Sequence, residues 1–361
     1  MKNFKKGIIT ALASLMMLAG CGSSSAASAA ASADAAETTA AAGTAAAQET
    51  TAAIVDDSAP VNVRVTAMIG PTAMGMVHMM DQVDKGEITS ENYSFELLSA
   101  VDKIAPKVAK GEADIFAVPA NLGAVLYNNT DKSVQALAVN TLGVLYICET
   151  GEAVNSVADL KGRTIYASGK GASPEYALDY ILSENGIDPE TDVTIEWQSE
   201  HAECVAALAN DPEGIALLPQ PFVTAAQAKN DKIRVALDLT EEWDKVQENK
   251  EDKSSLVTGI LIVRKAFAEE HPEAVEDFMN HYAESVAFAN DNVDEAAALI
   301  GGYDIIAEPV AKKALPYCNI VDITGTDMKT ALSGYLSVLY NANPKSVGGA
   351  LPEDDFYYGA Q

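Results

Sequence analysis

Basic side chains are scarce in this chain of 361 residues, in which 24 lysines and arginines stand against 52 aspartates and glutamates. The formal net charge is −28 at pH 7. An acidic surface repels nucleic acid and anionic lipid, so we predict no nucleic-acid partner. The charge suits a solvated extracytoplasmic protein, but it does not restrict the ligand, because a small cleft has its own local field.

Recognisable catalytic and metal-binding motifs are also lacking. The four histidines are scattered without an H-E-x-x-H pair or cysteine partners, which disfavours a catalytic or metal-binding role for any of them. The sequence contains no G-x-S-x-G motif, no P-loop and no complete G-x-G-x-x-G motif. It also contains no pair of carboxylates whose surroundings suit general acid–base catalysis. We therefore predict no enzyme, no catalytic residue, no metal and no cofactor. The histidines are His78, His201, His271 and His281.

Cysteine is rare, with four in the chain. Apart from Cys21, which belongs to an N-terminal motif, the cysteines are Cys148, Cys204 and Cys318. They are odd in number, and their spacing is not that of a metal site. The apolar neighbours of Cys148 and Cys204 indicate core positions. One disulfide stays an open alternative, but we predict free thiols.

The first 20 residues have the pattern of a secretory signal peptide: three early lysines, an apolar run over 8–18 and small residues before Cys21. The run is too short to span a bilayer. Leu18-Ala19-Gly20-Cys21 is similar to the bacterial lipobox, whose cysteine is lipidated and becomes the first mature residue. Lipid on Cys21 would hold the secreted protein on the outer face of the cytoplasmic membrane, at the cell surface or in the periplasm. An ordinary signal peptide followed by a chance cysteine is the alternative.

The stretch 21–59 is nearly all Ala, Ser, Thr and Gly with scattered acids, and we interpret it as a disordered tether. About 300 residues follow Pro60, enough for two lobes of ordinary size. From Val61 onward, strand-like and helix-like segments alternate, which predicts an α/β fold with mainly parallel sheets flanked by helices. The segment Glu241–Lys253 is charged, and we predict that it is exposed.

The best candidates for a ligand site are four turns that each join a predicted strand to a predicted helix. Ligands of open parallel sheets bind at such turns, often on helix N-termini. The turns lie at 69–75, 118–121, 168–173 and 218–221, and we expect Thr72 and Ser173 to start helices. Ordinary strand–helix connections are the alternative for any one of them. The predicted ligand-binding residues are Thr72, Ala73, Met74, Pro119, Asn121, Thr141, Ser168, Gly169, Lys170, Gly171, Ser173 and Gln220.

Three short motifs, in this order, resemble the ABC-transporter solute-binding lipoproteins of the type II periplasmic-binding-protein superfamily. They are Val108–Ile115 with its G-x-x-D-hydrophobic step, Val157–Arg163 with Asp-Leu-Lys-Gly, and Val263–Val275. The lipobox and tether fit the same group. Within the superfamily, the chain is most similar to the nitrate/sulfonate/taurine and thiamine-precursor group.

The resemblance implies two lobes with two crossing segments and a ligand cleft between them. Mapped onto this chain, it places lobe one at 61–146 plus 258–361 and lobe two at 150–255, with crossings at Val144–Cys148 and Leu256–Ile260. It also implies hinge closure on a small molecule and delivery to a membrane permease and its ATPase. We expect a monomer that touches the membrane through its lipid only.

The ligand itself is left open by the sequence. No arginine falls in the four turns and Lys170 is their only cation, so an anion would depend on backbone N–H groups. A sulfonate, a nitrate-like anion, a pyrimidine or another thiamine-precursor-like compound all remain candidates. Two other functions stay open: an enzyme of the same fold acting on a small heterocycle, and a sensor lipoprotein.

Overall fold

A computed structural model describes residues 60–251 and 253–360 of the chain. The predicted signal peptide at 1–20, the predicted lipidation site Cys21 and the predicted tether at 21–59 lie outside the described residues. Within the described ranges, no helix combines the length and the apolar character needed to cross a membrane.

Strands and helices alternate along the chain, as the sequence predicts. The strands are β1 (Asn62–Met68), β2 (Asn92–Leu98), β3 (Ile115–Pro119), β4 (Val134–Leu142), β5 (Leu145–Glu149), β6 (Thr164–Ser168), β7 (Thr194–Gln198), β8 (Ile215–Pro219), β9 (Arg234–Asp238), β10 (Val257–Arg264) and β11 (Ile320–Thr324). The helices are α1 (Pro71–Met74), α2 (Val77–Asp84), α3 (Ile104–Lys110), α4 (Ala120–Asn129), α5 (Ser173–Glu184), α6 (His201–Asn210), α7 (Phe222–Lys229), α8 (Leu239–Gln247), α9 (Lys265–Glu270), α10 (Pro272–Asp291), α11 (Val293–Gly302), α12 (Glu308–Ala314) and α13 (Gly325–Ala342). Short 3-10 turns cover Val101–Lys103, Val157–Leu160, Leu315–Tyr317, Pro344–Val347 and Asp354–Phe356.

Two sheets organise the molecule. The first has the order β11-β4-β10-β3-β1-β2 and the second the order β7-β6-β8-β5-β9. We call the first sheet with its helices the first lobe, and the second sheet with its helices the second lobe. This two-lobe α/β architecture confirms the predicted fold class, whereas the predicted residue bounds of the lobes stay a prediction.

The sheets are mixed, and the expectation of mainly parallel pairing was wrong. In the first sheet β2, β1 and β3 are parallel, whereas β10 is antiparallel to both β3 and β4. In the second sheet β7, β6 and β8 are parallel, whereas β5 is antiparallel to both β8 and β9. The cause is the chain path: β5 and β10 are the strands by which the chain enters a sheet from the other lobe, so they run away from the lobe boundary while their neighbours run toward it.

The first passage between sheets lies at Gly143-Val144, between β4 and β5. It is shorter than the predicted crossing at Val144–Cys148, most of which belongs to β5. A Cβ on Gly143 would lie 2.1 Å from Thr240 Oγ1, so only glycine fits there without movement of α8. The chain returns to the first sheet between α8 and β10.

The charged segment after β9 begins with a packed helix, which corrects the expectation for Glu241–Lys253 in part: Trp243 and Gln247 are buried, whereas most of its other described residues are exposed. Leu239, Trp243 and Gln247 recur every four residues and are buried. The Trp243 ring lies 4.8 Å from that of Tyr180 and 5.5 Å from that of Tyr335 on α13, between centroids. The acidic side chains occupy the other face of α8, so composition alone concealed a buried stripe.

Two predicted helix caps also differ from the structure. The first helical run breaks into α1 and α2, and Thr72 lies inside α1, where its hydroxyl donates to Met68 O at 2.7 Å. The residue before α5 is Ala172, so Ser173 is the first helical residue rather than its cap. By contrast, Ser156 and Asp159 form the capping box expected for the short turn at Val157–Leu160.

The three described cysteines are buried free thiols. Cys148 and Cys204 belong to one apolar cluster in the second lobe, which confirms that they are core positions. Cys318 lies in the core of the first lobe, so it is separated from the other two.

Candidate ligand-binding site

A cavity of about 360 Å³ lies where the strand ends of the two lobes meet. This volume is within the range of about 300–1,000 Å³ that is usual for small-molecule sites. Strands β1, β3, β6 and β8 end at its wall with Met68, Pro119, Ser168 and Pro219. The cavity is therefore at the carboxyl ends of parallel strands, where α/β sheets bind ligands.

The first-lobe wall combines apolar side chains with hydroxyl groups. After β1 it presents Ile69, Pro71 and Thr72, and after β2 it presents 99–102. Thr141 and Thr258, from β4 and β10, add hydroxyl groups beside them. This side therefore offers shape and a few hydrogen-bonding groups, with Asp102 as its one charged residue among the described lining residues.

The second-lobe wall is more polar. The loop after β6 contributes Ser168, Gly169 and Lys170, and the loop after β7 contributes 198–201, which reads Gln-Ser-Glu-His. Positive φ angles of 80° at Gly169 and 76° at Gly171 turn the first of these loops tightly before α5. Ionisable groups are thus concentrated on this side, with Lys170, Glu200 and His201.

Six of the twelve predicted ligand-binding residues lie in the cavity wall: Thr72, Pro119, Thr141, Ser168, Gly169 and Lys170. The loops that start at Gly70 and at Ser168 do face each other across the cleft, as the two-lobe interpretation predicts. Whether these residues contact the ligand stays a prediction.

Ala73 and Met74 lie outside the wall, because the single turn of α1 points both into the first-lobe core, where neither is exposed. Met76, Met79 and Met80 share that core, so the methionine-rich stretch serves packing. Met68 is the methionine that reaches the cavity, and it does so as the last residue of β1. Gln220 is also outside the wall, since its Oε1 accepts from Thr224 at the start of α7.

Asn121, Gly171 and Ser173 form a bridge between the lobes instead of lining the cavity. Asn121 Nδ2 donates to Gly171 O at 3.2 Å and to Ser346 O at 3.0 Å. Ser173 Oγ donates to Asn121 Oδ1 at 3.3 Å. Asn121 and Ser173 are fully buried, so these hydrogen bonds tie the start of α5 to the first lobe.

Sequence reasoning missed the loops 99–102 and 198–201, which follow β2 and β7. Both strands pair in parallel with a strand whose terminal loop was chosen, so the strand-end rule applied to them equally. The two loops meet across the cleft, where Ser99 Oγ donates to Glu200 Oε1 at 2.7 Å. They lack glycine and proline, which is why the search for turn signals passed over them.

The charges at the cavity are few and mixed. Lys170 is the one cation among the described lining residues, against the carboxylates of Asp102 and Glu200. His201 is neutral at pH 7, because burial lowers its pKa to about 4 despite the opposing charge of Glu200. The side chains alone therefore do not create a strongly positive field in the cavity.

The arginines confirm this distribution, because none of the four lines the cavity. Arg64 and Arg264 both pair with Asp114, at 2.8 and 2.6 Å. Arg234 pairs with the buried Glu149. These three guanidinium groups fix strands to one another, so they are not available for a ligand.

The fold and the cavity define a two-lobe binding protein, and comparison with known proteins supports this. An ABC transporter protein from Parabacteroides distasonis superposes with a TM-score of 0.65 at 21% identity, covering 82% of this chain and 98% of that chain. The periplasmic aliphatic sulphonate binding protein SsuA from Escherichia coli gives 0.64 at 17% identity, over 82% and 96%. The periplasmic nitrate-binding protein NrtA from Synechocystis gives 0.53 at 11% identity, over 67% and 66%. These likenesses show the fold.

The family follows from a sequence model. The model described as "NMT1/THI5 like" matches residues 96–296, and the chain belongs to that family. The match runs from β2 through α11 and so includes the whole second lobe. A search of curated proteins found no match. The predicted resemblance to the nitrate/sulfonate and thiamine-precursor group of solute-binding proteins is confirmed at this level.

Proposed function

We propose that this protein is an extracytoplasmic, lipid-anchored receptor that binds a small molecule between its lobes and delivers it to an ABC importer. The observation that carries the proposal is the cavity at the meeting strand ends of both lobes, with wall residues from each. A ligand held by both walls stabilises the closed arrangement, because it makes all of its contacts only there. The permease and its ATPase would recognise the surface of this closed form.

The wall chemistry supports an uncharged, hydrogen-bonding heterocycle, such as a pyrimidine or a related thiamine-precursor-like compound, over a sulfonate or nitrate. Apolar surface from Met68, Ile69 and Leu145 suits the faces of a flat ring. The carboxylates of Asp102 and Glu200 accept hydrogen bonds from amino groups and repel an anion. An anion would find Lys170 and backbone N–H groups, but no guanidinium among the described lining residues.

The structure offers an enzyme less support than a receptor. Among the described residues, no group of three or more His, Cys, Asp and Glu side chains has the geometry to hold a metal ion. Ser168 and His201 do touch, but His201 is a weak base, since burial lowers its pKa to about 4. A sensor lipoprotein would share the cavity, and import by the cell distinguishes it from a transport receptor.

Thermal unfolding of the purified protein with a ligand panel tests the proposal. The panel contains pyrimidines, thiamine and flavin precursors, sulfonates, nitrate and amino acids. A true ligand at 100 times its Kd should add about 2.7 kcal/mol to the free energy of unfolding, and the gain should grow with concentration. We expect a pyrimidine-type compound to raise Tm more than any sulfonate. Failure of every small molecule to raise Tm would contradict the receptor proposal.

The lipid anchor needs its own test. A Cys21→Ser variant should leave the membrane fraction and be recovered as soluble protein, because it lacks the thiol that receives the lipid. The unchanged chain should remain with membranes at high salt, which removes proteins held by charge alone. Equal partitioning of both chains would contradict lipidation at Cys21.

A further inference from the structure

His201 and Ser168 make a contact in the cavity that the motif search did not foresee. Ser168 Oγ and His201 Nδ1 are 2.5 Å apart, and both residues line the cavity. They come from different elements, since Ser168 ends β6 and His201 begins α6. The imidazole also lies against the Phe222 ring, with centroids 4.9 Å apart. Two neighbours therefore fix its position.

The hydrogen bond to Ser168 determines which ring nitrogen carries the proton. Ser168 Oγ lies between His201 Nδ1 and the thiol of Cys204, whose pKa burial raises to about 11 although a hydrogen bond with Ser168 opposes the rise. An unprotonated imidazole nitrogen accepts far better than a thiol sulfur, and we assign the Ser168 proton to Nδ1 on this ground. Because Nδ1 accepts, Nε2 holds the ring proton.

The Nε2–H group has no protein acceptor within the described ranges. The other ionisable groups that line the cavity are Glu200, which directly precedes α6, Lys170 after β6 and Asp102 across the cleft. Glu203 on α6 is engaged by the backbone N–H of Ser199 at 2.9 Å. Ser99 engages Glu200 Oε1, and Nε2–H is left open to a molecule bound in the cavity.

We propose that His201 determines ligand specificity by donating a hydrogen bond from Nε2 to an uncharged acceptor, a heteroaromatic ring nitrogen or a carbonyl oxygen. The inference rests on the proposed function, because it assigns the recognition chemistry of the same cavity. Ser168 acts as a positioning residue that sets the tautomer. A neutral donor of this kind discriminates against ligands that lack the acceptor, since the N–H is then left unpaired once the ligand has displaced water from it.

Nuclear magnetic resonance tests the tautomer without any ligand. Full-length protein with ¹⁵N-labelled histidine should show one imidazole in the Nε2–H form that stays neutral from pH 7 to pH 5, and its signal should vanish in His201→Asn. An Nδ1–H tautomer, or protonation of this ring above pH 6, would overturn the inference. This readout is independent of whether the proposed ligand class is correct.

Binding of 4-aminopyrimidine, measured by calorimetry, tests the donor role. Glutamine can place an amide N–H where Nε2–H lies, whereas asparagine reaches only the Nδ1 position. We therefore expect His201→Asn to weaken binding about tenfold and His201→Gln to weaken it less than about threefold. His271→Gln, a histidine outside the cavity, is the matched control and should bind as the unchanged chain does.

If His201→Asn kept its affinity and His201→Gln lost affinity, His201 would be merely structural, acting through its Nδ1 contact with Ser168. Absence of 4-aminopyrimidine binding by the unchanged chain would instead count against the proposed ligand class, and the tautomer experiment would still decide the role of His201.

Discussion

The two lobes have the same strand plan. Read from one edge, the first lobe runs β2-β1-β3-β10-β4 and the second runs β7-β6-β8-β5-β9, with the same parallel and antiparallel pairs in the same places. The first sheet adds β11 beyond β4. Each lobe therefore supplies the cavity with equivalent loops, although the sequence shows no internal repeat.

The equivalent loops differ in chemistry. The two loops of the first lobe line the cavity with Met68, Ile69, Pro71, Thr72 and 99–102, whereas their counterparts in the second lobe present 168–170, Ala172, Pro174 and 198–201. Three of the four ionisable lining residues among the described ranges are in the second lobe. The lobes therefore differ in charge: the first lobe offers apolar surface and hydroxyl groups, and the second adds Lys170, Glu200 and His201.

The largest expected effect comes from crowding the passage between the two lobes at Gly143. Gly143→Ala should lower the free energy of unfolding by about 1–3 kcal/mol, because its Cβ would lie 2.1 Å from Thr240 Oγ1. Chemical denaturation measures the loss. Gly302→Ala is the matched control, since nothing lies within 4 Å of its Cβ. Equal stability of the two variants would mean that α8 yields easily at the passage between lobes.

Next in size is damage to the loop after β6. Gly169→Val should weaken binding of every ligand class at least about tenfold, because a β-branched residue resists a φ of 80° and its Cβ would lie 3.1 Å from Pro174 Cγ. Calorimetry with the best ligand of the thermal panel measures it. Gly162→Val, strained at a φ of 77° but outside this loop and the wall, is the control. If both variants bind equally, this loop is not part of the site.

A smaller effect concerns stability at low pH. The imidazole of His201 has a pKa lowered by burial from 6.5 to about 4, so between those values the unfolded chain binds the proton and the folded chain does not. Protonation of His201 should therefore lower the free energy of unfolding as pH falls from 6.5 to 4, and it should have no effect above pH 6.5. The difference between the unchanged chain and His201→Gln isolates this slope in urea titrations.

That comparison is necessary because other groups act with the opposite sign. Burial raises the pKa of Asp179 to about 7 and that of Asp322 to about 6, and their protonated forms favour the folded state at low pH. Parallel curves for the unchanged chain and His201→Gln would show that His201 titrates normally.

The smallest effect separates ligand classes. Lys170→Ala should weaken an anionic ligand about fivefold or less and leave a neutral ligand nearly unchanged, because Lys170 is exposed and its attraction is screened by solvent. Calorimetry with methanesulfonate and 4-aminopyrimidine makes the comparison. Equal losses for both compounds would identify Lys170 as structural.

The sequence predicted the fold class, and half of the chosen residues lie in the cavity wall, for identifiable reasons. Strand alternation and turn residues are local signals, so β1, β6 and the facing loops after them were accessible. Trp243 was missed because its stripe lies within a charged segment. His201 was missed because its importance depends on Ser168, which is 33 residues away in the chain. Asn121 was chosen for its position at a helix start, but its amide serves a bridge formed only when the lobes meet.

The most direct test of the unequal lobes is a crystal structure with the ligand found by the thermal panel. We expect the ligand between the lobes, with most of its hydrogen bonds to 168–170 and 198–201, His201 Nε2 on a ring nitrogen or carbonyl oxygen, and Met68 and Ile69 against its face. A ligand outside this cavity, or one held mainly by polar groups of the first lobe, would contradict the account.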